Sequence, residues 1–446
     1  FILGGMTSCE DFLDKREDVG LTEDDIFRDY YSLRGFLDQS FNQLENVMVM
    51  DNWENGRAFV GLFADEMATT DNSSAVFTLH SGNWLSNAKS NKTFEIGNAG
   101  STAISRSYKA LRINNRIIND IDKAPLTPEQ KNEILGQAYF YRSWFYFQII
   151  KRYGGMPIID KVFEGGDDDI PRMTYHESHD WMMEDIQKAI YMLPDSWDDP
   201  NYGRPTKIAA MALKEWAQLF DASPLMQNDL NSTENKGYDT ERAKSAAKSA
   251  YEVIRYMDGS KSAPYPYGLA SKEEYTNVFY FKYPPVHQPE YIWVKRQFPN
   301  AANQNQKRTI RTFWQYEDLA FGSGPDGNSM CCPSLNIVNM FDKKGADGIY
   351  YPIDDPRSGY ALDYDHKPFE DRDPRFYNNI LLPGTTWGHY ADGRTYYITT
   401  YKGGAAYQHM LTQKDCNKRM FTGFMCKKFM WPECNQYLEK NNPNCW

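Results

Sequence analysis

The sequence of 446 residues contains no long hydrophobic run. No stretch approaches the roughly 18–20 consecutive apolar residues that a membrane-spanning helix needs, which excludes such a helix within the printed sequence. Dense clusters of basic residues are missing as well. The chain has 49 Lys and Arg and 60 Asp and Glu, which gives a formal net charge of −11. Nucleic acid is therefore not expected as a partner, since phosphate binding relies on concentrated positive charge.

The motifs of common catalytic and metal sites are also missing. No C-x-x-C pair occurs among the seven cysteines and the seven histidines are scattered, which argues against a zinc site. There is no Gly-rich phosphate loop, no G-x-S-x-G and no H-E-x-x-H. Glycoside hydrolysis needs two carboxylates held across a sugar, which adjacent acids such as Asp354 and Asp355 do not provide. We expect no catalytic residue, no metal and no cofactor.

Two acidic segments each allow two interpretations of their carboxylates. "GADGIYYPIDD" at 345–355 has the composition of a calcium loop but lacks the ligand spacing of an EF-hand, so a structural Ca²⁺ is the minor alternative there. In "FEDRDPRF" at 369–376, an ion pair that fixes a turn, either Arg372 with Asp373 or Asp371 with Arg375, is favoured over a catalytic aspartate.

Aromatic residues are abundant: they make up 15% of the chain, with 31 Tyr and 11 Trp. The densest run, "AYFYRSWFYFQIIKRYGGMPII" at 138–159, places rings on several faces of a helix, which predicts a helix buried on several sides. Its start at Thr127 and Pro128 and its end at Gly154 carry the usual helix signals. Four tryptophans in regular segments are likewise expected in the core: Trp144, Trp181, Trp216 and Trp293.

Helical periodicity dominates up to about residue 260. In 22–44, Thr22 is the expected N-cap and Ile26, Leu33 and Leu37 share one face of a single helix. Helices joined by short turns predict stacked antiparallel pairs over 25–260, although no strict repeat is visible. From 261 to 446 the chain is rich in Pro, Gly, Tyr and Asn, with short possible strands in "EYIWVKRQF" and "TYYITTYKGG". We expect a mainly α scaffold followed by a loop-rich lobe.

The first residues have the character of a targeting signal. "FILGGMTSC" is a short apolar run that ends in small residues and a cysteine, and a polar tether follows it. Such a pattern is typical of the end of a bacterial lipoprotein signal peptide, which makes Cys9 the expected lipid anchor within a signal remnant and tether over 1–24. The charged front of the peptide is missing, so an incomplete N-terminus is expected. The alternative is an ordinary cysteine, and the pairing of the six other cysteines stays open.

Several segments, in this order, resemble the SusD/RagB family of Bacteroidetes outer-membrane lipoproteins. They are "SCEDFLD" at 8–14, "FADEM" at 63–67, "YKALRINNRIINDI" at 108–121, the aromatic helix with "RYGGMPII", "GRPTKIAAMALKEWAQLFDASPL" at 203–225, "CPSLNIVNMFDKKG" at 332–345 and "FEDRDPRFYNNIL" at 369–381. The resemblance spans nearly the whole chain. It departs at the C-terminus, where family members continue with another helical pair, so a truncated lobe is expected.

The resemblance implies a tetratricopeptide-like helical scaffold and a role at the cell surface. It implies a non-catalytic lipoprotein of the outer membrane that captures glycan for import through a SusC-like, TonB-dependent barrel. RagB-like members resemble the chain equally well, which leaves oligopeptide capture as the alternative. A glycoside hydrolase is the second rival, and a helical scaffold for protein–protein contact is the third.

Glycan-binding side chains are expected in loops that combine an aromatic ring with amide or guanidinium groups, since sugars offer C–H faces rimmed by hydroxyls. Three loops fit this description, and Trp53 is a weaker fourth candidate. The predicted contacts are Asn83, Trp84 and Asn87; Arg311, Trp314 and Tyr316; and Trp387 and Tyr390. The alternative for each loop tryptophan is a plug that packs its loop onto the scaffold.

Overall fold

The computed structural model describes residues 22–44, 64–69, 103–163, 169–227, 237–260, 266–279, 288–295, 331–360, 368–389, 395–404 and 422–428. The chain divides into two compact units. The helical unit comprises 1–44 and 106–254, and the loop-rich unit comprises 45–105 and 255–446. The boundaries expected from the sequence, at residues 24 and 260, stay predictions.

The first predicted helix is divided in two. Helix α1 spans Glu23–Phe27 and helix α2 spans Tyr30–Asn42. Thr22 caps α1 as expected, through a capping box with Asp25. The interruption follows from Asp29, whose side chain accepts a hydrogen bond from the Ser32 amide and so starts a second helix. The predicted apolar face is nevertheless buried on both sides of the break.

Five longer helices form most of the helical unit. They are α3 (Ala103–Asp120), α4 (Pro128–Tyr153), α5 (Tyr175–Met192), α6 (Lys207–Ala222) and α7 (Thr240–Gly259). Threonine side chains cap α4, α5 and α6 by accepting from the third helical amide. Helix α4 packs along α5, and α5 packs along α6. This arrangement confirms the expected scaffold of helical pairs.

Helix α4 carries the aromatic run and is buried on several sides, as predicted. Phe140, Tyr141, Phe145, Tyr146 and Phe147 are all buried. The helix begins at Pro128 behind a capping box and ends at Gly154, whose φ of 76° is readily available only to glycine. The run is therefore a packing element, and these five buried rings are not available to a ligand.

A buried ion pair joins α4 to α5. The Arg142 Nε lies 2.5 Å from Asp185 Oδ2, and its Nη2 lies 2.8 Å from Asp185 Oδ1. The third nitrogen, Nη1, donates to Asn115 Oδ1 of α3 at 3.0 Å. Because both charges are withdrawn from water, this bidentate geometry is needed to offset their desolvation.

None of the four tryptophans expected in the core is fully buried. Trp144, Trp181 and Trp293 are half-buried, and Trp216 on α6 is 40% exposed. One edge of its ring packs against Phe147 at a centroid distance of 5.1 Å, and the Lys151 ammonium lies 4.5 Å from its centroid. The prediction was wrong for Trp216 because α6 packs by its alanine-rich face, which leaves the opposite side in contact with water.

Over its described residues, the loop-rich unit contains two short helices, α8 (Leu335–Asn339) and α9 (Pro374–Asn379), and four antiparallel two-stranded ladders. The strands are β1 (Met67–Thr69), β2 (Cys331–Pro333), β3 (Lys343–Lys344), β4 (Tyr350–Tyr351), β5 (Ile380–Leu381), β6 (Thr386–His389), β7 (Thr395–Tyr397) and β8 (Met425–Cys426). They pair as β1–β2, β3–β4, β5–β8 and β6–β7. The strand expected in "TYYITTYKGG" is confirmed as β7.

The prediction of a strand in "EYIWVKRQF" is wrong for the described residues 290–295, because they form turns and bends. The Tyr291 amide donates to the Gln288 carbonyl and closes a turn around Pro289. The Tyr291 hydroxyl donates to the Val278 carbonyl at 2.5 Å and fixes this turn to the neighbouring segment. Local turn chemistry thus outweighs the strand propensity of Tyr, Ile and Val.

A buried arginine organises the core of the loop-rich unit. Arg372 is 1% exposed and donates to three backbone carbonyls, those of Val338, Phe341 and Pro368, at 2.6–3.1 Å. Its guanidinium also lies 4.9 Å from the Phe376 ring centroid. Burial lowers the pKa of Arg372, and the carbonyl dipoles take the place of a counter-ion.

Within the described ranges, none of the helices combines the length and the apolar character needed to cross a membrane. The same part of the chain holds no group of three or more His, Cys, Asp or Glu side chains placed to bind a metal ion.

Candidate functional site

The predicted ligand-binding residues fall mostly outside the described residues. Trp387 is the exception for its backbone alone, which lies in β6. The lipid anchor Cys9, the weaker candidate Trp53 and the other predicted contacts, Asn83, Trp84, Asn87, Arg311, Trp314, Tyr316 and Tyr390, are outside the described ranges and stay predictions. Of the three predicted binding loops, the one that contains Trp387 is therefore the one whose neighbouring residues are described.

The neighbourhood of Trp387 is a hairpin formed by β6 and β7. Thr386 pairs with Tyr397 and His389 pairs with Thr395, with an irregularity between the two pairs. The antiparallel pairing continues beyond the strands, because the Ile398 amide donates to the Thr385 carbonyl at 2.9 Å and the Gly384 amide donates to the Ile398 carbonyl at 2.7 Å. The chain is therefore extended from β7 into the residues that follow it.

Two tyrosines project from this extended segment into solvent. Tyr397 is 58% exposed and Tyr401 is 49% exposed, while Ile398 and Thr400 between them are 1% and 5% exposed. Such alternation places Tyr397 and Tyr401 on one outward face, since side chains two and four residues apart share a face of an extended chain. The sequence predicts the strand here but does not mark either tyrosine as a candidate contact.

The segment is fixed beneath the rings. The Thr400 hydroxyl donates to the Gly423 carbonyl at 2.8 Å, and the Gly404 amide donates to the Tyr401 carbonyl at 2.8 Å. The turn so formed needs glycine twice: Gly403 has a φ of +90°, and a Cβ at Gly404 would stand 2.2 Å from the Thr399 carbonyl oxygen. Tyr401 is thereby held at the corner of a tight turn.

The outward face offers rings and hydroxyl groups with little charge. The exposed Thr386 lies opposite Tyr397, and the exposed Thr395 precedes it by two residues. Lys402 is the single ionisable side chain with a formal charge between residues 395 and 404. Exposed aromatic faces beside hydroxyl groups suit a ligand that presents apolar C–H faces and a polar rim. We call Tyr397, Tyr401, Thr386 and Thr395 the hairpin face.

Asp373, a carboxylate in one of the acidic segments that the sequence singled out, is engaged in a turn. Asp373 caps α9 and forms an ion pair with Arg375 at 2.8 Å. The sequence was right that a pair fixes this turn but wrong about its members, because Arg372 is directed to backbone carbonyls and Asp371 adopts a φ of 54°.

The acidic segment 345–355 is likewise a hydrogen-bonded turn. Asp347 accepts from the Tyr351 hydroxyl at 2.7 Å and from the Ile349 amide at 3.0 Å. Asp355 accepts from the Arg357 guanidinium, and this hydrogen bond lowers the pKa of Asp355 to about 2. Each of these two carboxylates therefore has a donor partner within its own turn.

A histidine–aspartate cluster occurs in the helical unit. His176 Nδ1 lies 2.7 Å from the Oδ1 of the buried Asp221, and Arg242 donates to Asp221 Oδ2. His179 Nδ1 lies 3.0 Å from Asp180 Oδ1. No serine, threonine or cysteine in the described part of the chain hydrogen-bonds either imidazole. The cluster links α5, α6 and α7 through buried charge.

Comparison with known families decides the affiliation. A model of the family described as "SusD-like_3: Starch-binding associating with outer membrane" matches residues 11–215. A model of the family described as "SusD_RagB: SusD family" matches residues 289–444. The chain belongs to the SusD/RagB family. No curated protein sequence matches it significantly.

Solved structures agree on the fold. A SusD-like protein from Bacteroides fragilis NCTC 9343 is 20% identical, with a TM-score of 0.61 over 93% of this chain and 71% of that one. A SusD-like carbohydrate binding protein from the same organism is 17% identical, with a TM-score of 0.60 over 90% and 68%. A SusD homologue from Bacteroides thetaiotaomicron VPI-5482 is 14% identical, with a TM-score of 0.50 over 83% and 72%. The expected SusD-like helical fold is confirmed.

Proposed function

We propose that this SusD/RagB protein binds oligosaccharides or polysaccharides at the cell surface and performs no catalysis. The observation that carries the proposal is the hairpin face, where Tyr397 and Tyr401 stand outward on a fixed backbone in the same hairpin as Trp387. Membership of the SusD/RagB family supports it, as does the fold shared with a structure described as a carbohydrate binding protein.

The proposal extends to location and partner. The family described as starch-binding associates with the outer membrane, which agrees with a lipid anchor at Cys9. We propose that the anchored protein hands its glycan to a SusC-like, TonB-dependent barrel in the same membrane. Binding at the barrel entrance would raise the local ligand concentration, and the barrel would supply the energised import. The binding step needs no cofactor.

Two rival functions make different predictions. An oligopeptide binder of the RagB type would recognise its ligand by backbone hydrogen bonds, so loss of exposed rings would have little effect. A glycoside hydrolase would release products, whereas the carboxylates Asp347, Asp355 and Asp373 are each engaged by a donor within their own turn. Glycan retention without product release separates the proposal from both rivals.

The direct test is affinity electrophoresis of the purified protein through gels containing single polysaccharides, with product analysis on the same panel. We expect retardation by at least one polysaccharide without release of sugar. Trp84→Ala and Trp314→Ala should weaken this retardation if these predicted residues contact the glycan. Absence of retardation by every polysaccharide, together with binding of oligopeptides, would refute the glycan function.

A further inference from the structure

The spacing of the two tyrosines on the hairpin face sets a length scale. Tyr397 and Tyr401 are four residues apart on an extended segment, so their Cα atoms lie about 13 Å from each other at the usual rise of about 3.3 Å per residue. One sugar ring is much shorter than this span. A ligand that contacts both tyrosines by following the segment from residue 397 to residue 401 must therefore be longer than one sugar ring.

We infer that Tyr397 and Tyr401 form one elongated subsite that binds a linear oligosaccharide along residues 397–401. A monosaccharide would cover one ring, whereas a chain of sugars would cover both at once. The inference rests on the proposed glycan function and adds to it a dependence on ligand length at the same site.

The chemistry of the face favours a glycan chain over a charged ligand. The residues between Tyr397 and Tyr401 turn their bulk inward, because Ile398 and Thr400 are buried, so the outward surface consists of two rings separated by Thr399. Lys402 is adjacent to Tyr401 and is exposed. This face therefore suits a neutral glycan or one with occasional acidic groups, and disfavours a cationic chain.

Hydrogen bonds fix the backbone segment that carries the two tyrosines. They run from the Ile398 amide to the Thr385 carbonyl and from the Thr400 hydroxyl to the Gly423 carbonyl, on both sides of the centre of the segment. Because the ligand is already held at the first tyrosine and the main chain beneath the second is fixed, contact with the second ring adds to affinity without further ordering of the main chain. We therefore expect affinity to rise in a step when the ligand becomes long enough to reach both rings.

The test measures binding of graded oligosaccharides to the full chain by isothermal titration calorimetry. The probes are one- to six-residue ladders of α-1,4-glucan, β-1,4-glucan, β-1,4-xylan and β-1,4-mannan. For at least one ladder, affinity should rise by about three- to tenfold at the length that first reaches both rings, the range that corresponds to one aromatic contact. Tyr397→Ala and Tyr401→Ala should each abolish this step.

Matched variants separate ring contact from folding. Tyr397→Phe and Tyr401→Phe keep the rings and should keep the step. Tyr191→Ala removes a tyrosine that is even more exposed but lies on α5 of the helical unit, and it should leave binding of the ladder unchanged. Circular dichroism of each alanine variant should match that of the parent protein.

Three outcomes are decisive against the inference. If affinity does not depend on length, or if the alanine variants keep the step, the subsite is refuted while the proposed glycan function stands. If no ladder binds and no polysaccharide retards the protein, both are refuted. Binding of oligopeptides that Tyr397→Ala leaves intact would assign the hairpin edge, rather than its rings, to a peptide ligand.

Discussion

The buried pair between α4 and α5 supplies a sharp test of how the helical unit is held together. Asp185→Asn keeps the size of the side chain but removes the negative charge that faces Arg142. The guanidinium would then remain buried with only the Asn115 oxygen and an amide oxygen as acceptors. Breaking a buried pair in this way costs about 3–5 kcal/mol, because the remaining charge has lost its compensation.

The double variant Arg142→Met with Asp185→Leu should behave quite differently. It removes both charges and their desolvation, a replacement that is often neutral or stabilising by about 1–4 kcal/mol. Asn115 would lose one hydrogen-bond donor, which costs about 1 kcal/mol. We therefore expect the double variant to lie within about 2 kcal/mol of the parent, well above the single variant in stability.

Hydrogen exchange of the α4 and α5 amides is the suitable assay, because the chain has two units that need not unfold together. Asp185→Asn should lower protection across both helices, and the double variant should restore it. Asp122→Asn serves as the control, since it disrupts an exposed pair with Lys131 and should change protection little. A loss below about 1 kcal/mol for Asp185→Asn, or no recovery in the double variant, would refute the reasoning.

Three further predictions concern the loop-rich unit. Arg372→Met should destabilise this unit by on the order of 3 kcal/mol, because three buried carbonyls lose their donor, and faster proteolysis within 395–404 should reveal it. Burial raises the pKa of the Cys426 thiol to about 12, so iodoacetamide at pH 8 should leave it unmodified in the native protein and modify it in urea. Arg357→Ala should raise the pKa of Asp355 from about 2 towards its ordinary 3.8, as seen by NMR titration. In the parent protein the stabilisation from Asp355 is complete above about pH 4 and is lost as the pH falls towards 2.

Much of the helical unit could be predicted because its signals are local. Thr127, Pro128 and Gly154 delimit α4 through contacts made within a few residues, and the same segment shows its burial by carrying rings on several faces. The break at Asp29 was missed since the apolar spacing continues across it, and the competing N-cap is a single side chain. Trp216 was misplaced because periodicity does not state which neighbour covers which face.

The hairpin face was harder to find for a physical reason. Among 31 tyrosines, nothing in "TYYITTYKGG" itself distinguishes rings that point inward from rings that point outward. The direction of Tyr397 and Tyr401 is set by Ile398 and Thr400, and Thr400 is fixed by the carbonyl of Gly423, which is more than twenty positions away in the sequence. A contact of this range is established only by the folded chain.

The rigidity of this face bears on how a capture protein can bind tightly enough to retain a glycan and yet release it. A single aromatic contact is worth about 0.5–1.5 kcal/mol, which holds a sugar only weakly. Ordering a loop on binding costs a comparable amount or more, so rings on an unfixed loop would gain almost nothing. On the hairpin the backbone beneath Tyr397 and Tyr401 is fixed before the ligand arrives, so the ordering cost is limited to the two side chains. Under the proposed function, a long glycan would be held at both rings and would leave them one at a time, which suits transfer to a partner.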